Sequence, residues 1–257
     1  MIDAGAKGKA IAKAPDGKVV FIDNAVPGDV ADVQTYKKRK AYYYGKVANY
    51  VSYSDKRTEP VCQHFGTCGG CKWQNMDYKY QLFYKQQEVE NNLKRLGKID
   101  LPETTPIAGS KEIYFYRNKM EFSFSDSKWL TLDEIKSGVE IEDKNALGFH
   151  IPGMWDKILN IEKCHLQADP SNAIRNEVRD FASKNNIPFF NARNQEGLLR
   201  TLMIRTSSTG EIMVLVQFFY EDKENRELLL NFIAERFPEI TSLQYVVNEK
   251  EDVAIYD

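Results

Sequence analysis

The sequence predicts an α+β protein, with a small N-terminal β-barrel of the OB kind followed by a mixed α/β domain. Three observations predict it. Short segments of alternating polarity, cut by Gly, Pro and Asp turns, fill the first quarter of the chain. Segments with helical spacing and capping residues alternate with strand signals thereafter. The composition, 42% hydrophobic and 28% charged over 257 residues, suits a globular chain and is too apolar for general disorder.

Residues 9–14 read as a strand, Pro15-Asp16-Gly17 as a turn, and residues 18–23 as a second strand carrying Val19, Val20, Phe21 and Ile22. Pro27-Gly28-Asp29 turns again, residues 30–35 alternate at period two, and residues 42–53 supply one or two more strands. The boundary is placed after residue 58, giving domains 1–58 and 59–257. A helix follows from Asp77 as N-cap to Gly97 beyond its end, with Tyr78, Leu82, Val89, Leu93 and Leu96 near one face as core. Residues 114–125 predict a strand with Met120, Phe122 and Phe124 on one side. Asp169-Pro170 has N-cap and first-turn chemistry for a helix to about Asn185, with Ile174, Val178, Phe181 and Ala182 inward. Two strands, 198–206 and 211–220, flank a Ser-Ser-Thr-Gly turn. Asp222 then caps a helix burying Leu228, Leu229, Phe232 and Ile233, and residues 242–248 form a last strand.

No apolar run is long enough for a transmembrane helix, and the first residues carry no apolar signal core, so no membrane association and a cytoplasmic location are expected. The net charge of −2 hides an asymmetry: residues 1–100 hold 17 Lys and Arg against 11 Asp and Glu, and the remainder 18 against 26. A positive half suits a polyanion, because each contacted phosphate releases counterions. The densest basic and aromatic stretch is Lys37-Lys38-Arg39-Lys40 with Tyr42, Tyr43, Tyr44 and Lys46. Lysines there neutralise phosphates while tyrosines stack on unpaired bases at about 1–3 kcal/mol each. The competing reading is a solvated strand edge whose lysines prevent sheet-to-sheet aggregation.

Cys62, Cys68 and Cys71 fall as C-x5-C-x2-C, and Cys164 stands far downstream. Three thiols in one loop plus one distant thiol favour a [4Fe–4S] cluster over structural zinc, which more often takes two close pairs. Gly66, Gly69 and Gly70 would let backbone amides approach cluster sulfides. Zinc, with His64 or His165 replacing a thiolate, stays open as the alternative. A radical-SAM loop has a shorter first gap and no fourth cysteine to place. Phe65 and Trp73 read as packing around the metal, and Glu121 has no partner that would make an acid–base pair.

The segment Pro60–Gln74 resembles the iron–sulfur loop of the RumA-type RNA (uracil-5-)-methyltransferases. Gly8-Lys9-Ala10-Ile11-Ala12, Val19–Ile22 and Val26-Pro27-Gly28-Asp29 are similar to that family's N-terminal TRAM domain. Tyr116–Phe124, Leu147-Gly148-Phe149-His150 and Cys164 follow in the family's order; residues 171–257 match in pattern more than in letters. The resemblance implies an enzyme family acting on RNA, with 23S rRNA expected, and RNA contacts at Arg117, Asn118 and Lys119 beside those at Lys37, Lys38, Arg39, Lys40, Tyr43 and Lys46. Members of the family carry a SAM-binding Rossmann domain and a nucleophilic cysteine. No G-x-G occurs here, and all four cysteines fall at cluster positions. The expectation is therefore the RNA-recognition and cluster portion of such an enzyme, inactive alone, with no catalytic residue and with S-adenosylmethionine reached only through an absent domain. A stand-alone zinc-containing nucleic-acid module is the second expectation.

Overall fold

The computed structural model describes residues 1–250. They divide into two compact units, Met1–Gly66 with Cys71–Ile113, and Thr67–Gly70 with the chain from Tyr114 onward. Both units carry a mixed sheet, and helices are few.

In the first unit β1 (Asp3–Gly5), β2 (Lys9–Lys13), β3 (Val19–Asp23), β4 (Val30–Lys38) and β5 (Tyr42–Ser52) form one sheet in the order β1-β2-β3-β5-β4. Alternation in β3 turns Val20 and Ile22 into a core with Ala10 and Ala25, roofed by Val33, Tyr43 and Val47. The short strands expected in this region are observed and joined in one sheet, whose edge strands β1 and β4 do not pair among the described residues; the TRAM assignment of the resemblance finds no support. Strands β3 and β5 run parallel, and the β4–β5 ribbon is broken by three shifts of register. Gly45 is required in β5, because a Cβ there would lie 2.6 Å from Val33 Cγ1 and 3.2 Å from the Gln34 carbonyl.

Asp29, expected in a turn, is fully buried. Its carboxylate accepts hydrogen bonds from the amides of Val26 (2.7 Å) and Ser54 (2.9 Å) and from Nε and Nη2 of Arg57, both at 2.8 Å. Arg57 also donates to the Tyr50 hydroxyl at 2.9 Å and lies over the Tyr50 and Tyr53 rings. Burial raises the Asp29 pKa, but Arg57 and the two amides outweigh it and hold the carboxyl below its ordinary value.

Helix α1 (Tyr78–Asn91) begins where Asp77 accepts from the Lys79 amide at 3.0 Å, and a π-turn over Asn92–Leu96 ends it. Its predicted core face is corrected. Tyr84 is the buried residue, packing with Val26 and Met76, whereas Val89 and Leu93 are exposed and Leu96 is 79% exposed. Tyr78 and Leu82 are covered by the segment around Gly109. The spacing is helical, but the side packed on Val26 and Met76 lies away from Val89, Leu93 and Leu96.

The second unit adds β6 (Lys119–Ser125), α2 (Leu132–Ser137), β7 (Ala146–His150), β8 (Ile158–Asn160), α3 (Ser171–Lys184), β9 (Leu199–Thr206), β10 (Ile212–Phe218), α4 (Lys223–Arg236) and β11 (Ser242–Val247). The sheet order is β11-β10-β9-β6-β7-β8, antiparallel except for β10 with β11. Met120, Phe122 and Phe124 are buried as expected, and so are Ile174, Val178 and Ala182 of α3. Phe181 of α3 stacks on Phe232 of α4 with ring centroids 3.9 Å apart. Leu229 and Ile233 are buried, but Leu228 is exposed.

Three differences have local causes. The predicted strand from residue 114 starts only at Lys119, because the amides of Phe115 and Arg117 donate to the carbonyls of His165 and Leu166 instead of a ladder. Pro170, not Asp169, occupies the N-cap of α3; the Asp169 carboxylate accepts from the Asn172 amide group at 3.0 Å. Helix α2 has no counterpart among the predicted elements, although Thr131 and Glu134 form a complete capping box.

Candidate functional site

Strands β3 and β5 are parallel with Phe21 opposite Tyr44, so the residues alternating away from the core share a face. On it Phe21 meets Tyr42 edge-on at 5.4 Å and Tyr44 at 5.8 Å, and Tyr36 stacks against Tyr44 at 6.3 Å with planes 19° apart. Lys9 pairs with Asp23 and stands 5.4 Å from the Tyr44 ring centre. The Tyr36 hydroxyl donates to Asp23 at 2.9 Å; burial and that carboxylate push its pKa up to about 12, which keeps it protonated. Lys46 stands in register with Asp23 on the neighbouring strand. Lys37 and Lys38 end β4, Arg39 donates its amide to the Tyr42 carbonyl across the hairpin, and Lys40 lies in the turn, all four exposed.

Tyr43 points the other way. Its ring packs on the Ala10–Ile22 core and its hydroxyl donates to Asp16 at 2.8 Å. The aromatic face thus contains Phe21, Tyr36, Tyr42 and Tyr44. Phe21 and Tyr36 carry no contact signal in the sequence. They join the face only through the parallel β3–β5 pairing and the bulged β4–β5 ribbon, which no local pattern announces. An apolar, π-rich surface bordered by cations can hold bases by stacking and phosphates by charge.

In the second unit Arg117, Asn118 and Lys119 are drawn together at the entry to β6. The Asn118 carbonyl accepts from the Thr206 amide at 2.9 Å, and Lys119 pairs with Glu121 at 2.8 Å. Lys119 also stands directly opposite Arg205 of β9, a like-charge cross-strand pair that the Glu121 carboxylate beside Lys119 partly offsets. Arg117 and Asn118 line an open groove of about 360 Å³ with Ser207, Ser208, Asp169 and Glu211.

The four cysteines are thiols, each half-buried. In the first unit Cys62 and Cys71 are close enough for the charge of one to raise the pKa of the other; burial is the larger cause of the rise at Cys62. In the second unit Cys68 and Cys164 both pack on Ile151, Leu159 and Ile161. The Cys164 amide donates to Asn172 at 2.7 Å. Among the described residues no group of three or more His, Cys, Asp or Glu side chains is placed to hold a metal ion. The expected metal site at Cys62, Cys68, Cys71 and Cys164 is therefore corrected, for the [4Fe–4S] cluster and for zinc alike, since either needs at least a third converging ligand. Gly69 has a packing reason instead: a Cβ there would stand 3.0 Å from the His150 carbonyl.

No protein-family model matches the chain. It is 52% identical over 255 residues to an uncharacterized RNA methyltransferase of Bacteroides thetaiotaomicron, covering 98% of this chain and 56% of the relative. Identity is 47% to an uncharacterized RNA methyltransferase of Porphyromonas gingivalis, covering 99% and 56%, and 35% to one of Chlorobaculum tepidum, covering 98% and 53%. The chain spans about half the length of the curated relatives it matches. Among solved structures, the Pyrococcus abyssi tRNA (uracil-54, C5)-methyltransferase in complex with S-adenosyl-L-homocysteine aligns with a TM-score of 0.59 at 22% identity, over 98% of this chain and 54% of that one. The match concerns fold. The expectation of a cluster-binding portion is corrected: among the described residues no group of three or more side chains is placed to hold a metal. Among the described residues no helix is long and apolar enough to cross a membrane.

Proposed function

We propose that this protein is an RNA methyltransferase of the kind its relatives are named for, moving a methyl group from S-adenosylmethionine to C5 of a uridine, with 23S rRNA as the substrate. The single observation that carries the RNA reading is the Phe21–Tyr36–Tyr42–Tyr44 face with its lysine border, in a chain similar in sequence to proteins named RNA methyltransferases. Residues 1–58 then act as a body that holds single-stranded RNA, with stacking on Tyr42 and Tyr44 and phosphate contacts at Lys37, Lys38, Arg39, Lys40 and Lys46. In the second unit Arg117, Asn118 and Lys119 take further phosphates, which would relieve the Lys119–Arg205 repulsion. S-adenosylmethionine supplies the methyl group; no side chain described above is assigned to the transfer. A cytoplasmic location follows from an RNA substrate.

Two experiments test this. Replacing Lys37, Lys38, Arg39 and Lys40 by Ala should weaken binding of single-stranded RNA and reduce the slope of log K against log salt by about 0.7 for each phosphate no longer neutralised. An unchanged slope removes these residues from the interface. Deleting the encoding gene should abolish a 5-methyluridine in 23S rRNA; loss confined to tRNA overturns the rRNA assignment, and loss in neither overturns methyl transfer.

A further inference from the structure

The side chains on the aromatic face of the first unit fall in rows across β2, β3 and β5. Ile11 stands opposite Phe21, and Phe21 opposite Tyr44. Two residues along on the same face, Lys46 is in register with Asp23, while Lys9 of β2 reaches Asp23 from the other side and pairs with it. A carboxylate is therefore set between two lysines on neighbouring strands, which lie about 4.8 Å apart.

Phosphate binding explains the lysines of this face but not Asp23, whose charge repels phosphate. The Asp23 side chain keeps 42% of its exposure. One oxygen meets Lys9, and the other accepts from the Tyr36 hydroxyl at 2.9 Å, so each oxygen retains an acceptor site. Tyr36 is 55% exposed and stacks one side of its ring on Tyr44. Its rim is tied to Asp23, so a base laid on its open side carries an edge toward the carboxylate. An ion pair as exposed as Lys9–Asp23 adds little to stability, and both partners are free to turn to a ligand.

Lysine offers only donors and a carboxylate only acceptors, so the row Lys9, Asp23, Lys46 presents donor, acceptor, donor. The Watson–Crick edge of uracil, O2, N3–H and O4, is its complement. Cytosine puts an acceptor where uracil has N3–H, adenine sets one donor beside one acceptor, and guanine follows its acceptor with two donors.

We infer that Lys9, Asp23 and Lys46 read the edge of an unpaired uridine whose ring stacks on Tyr36, with N3–H donating to Asp23 and the lysines donating to O2 and O4. Lys46 keeps further N–H groups for phosphate. The inference rests on the RNA reading above and deepens it, by naming the nucleotide that this face prefers and the residue that selects it.

The test titrates end-labelled oligouridine, oligocytidine and oligo(N3-methyluridine) of equal, short length into the chain and follows fluorescence anisotropy. Oligouridine should bind about tenfold more tightly than either other strand, the scale of one hydrogen bond to a charged group. Asp23→Ala removes a negative charge and should tighten all three strands through their phosphates, so the readout is the ratio between strands, which should fall to near unity. Asp23→Asn, which keeps the side-chain shape, takes its place if the Ala variant fails to fold, and should narrow the ratio. A ratio equal to wild type in the folded variant overturns the role of Asp23. Discrimination against the methylated strand alone is a steric clash and overturns it too. Equal binding of all three strands to the wild type overturns edge reading and leaves the RNA reading standing. Binding of none at low salt overturns the RNA reading and the inference with it.

Discussion

Each unit withdraws an arginine from solvent, Arg57 half-buried and Arg175 fully buried, and each solves the problem differently. In the first unit Arg57 meets a fully buried carboxylate, Asp29, which is tied to the Val26 and Ser54 amides as well. In the second, Arg175 is completely buried and held by neutral acceptors. It donates to the carbonyls of Ile161 and Glu162 and to Asn172 and Asn176, and lies over Phe122 at 5.0 Å. Burial pushes its pKa down to about 10, which still leaves it cationic at neutral pH. A charge pair and a cage of dipoles both satisfy a guanidinium, but only the pair makes stability depend on a carboxylate's titration.

The contrast can be broken most severely at Asp29. Asp29→Ala leaves Arg57 without its counter-charge and two amides without an acceptor, and should cost about 3–5 kcal/mol in denaturant unfolding. A loss under about 1 kcal/mol would show that solvent already shares the site. Arg175→Met keeps much of the side-chain bulk over Phe122 but strands the Ile161 and Glu162 carbonyls; it should cost about 2–3 kcal/mol. If it proved neutral, the cage would be ornamental to stability.

Acid sharpens the comparison. The folded pKa of Asp29 lies below its unfolded value of about 3.9, so its contribution is fully present above that pH and disappears as pH falls through the folded pKa. Asp29→Asn should therefore flatten the acid limb of the melting profile, whereas Arg175→Met should leave that limb unchanged. An acid limb identical in wild type and Asp29→Asn would place the titration elsewhere. The smallest effect is expected at Tyr50→Phe, which removes one acceptor from Arg57 and should cost about 0.5–1.5 kcal/mol; calorimetry of the single and double variants with Asp29→Asn would reveal whether the two interactions couple.

Much of the fold was legible. Period two exposed Met120, Phe122 and Phe124 in β6, and period 3.6 exposed Ile174, Val178 and Ala182 in α3, because each pattern repeats within a few residues. Helix α1 was legible as a helix but not in its packing: Tyr84 is buried while Val89, Leu93 and Leu96 stay out, since a helix with apolar residues on several sides does not declare which side packs inward. The candidate interface was half legible. The run Lys37–Lys40 and the tyrosines after it stood out by composition, but the inward turn of Tyr43 and the recruitment of Phe21 and Tyr36 depend on strand pairing and bulges. The cysteine spacing suggested convergence on one metal, and spacing alone does not place side chains in space.

Local sequence thus determined which segments become strands and helices, where most of them stop, and which residues alternate inward, because those properties are set by neighbours a few positions away. Tertiary structure alone decided that Asp29 meets Arg57 and that Arg175 finds two carbonyls. Those outcomes depend on meetings between distant segments, whose geometry follows from how whole sheets pair and pack rather than from any periodicity along the chain.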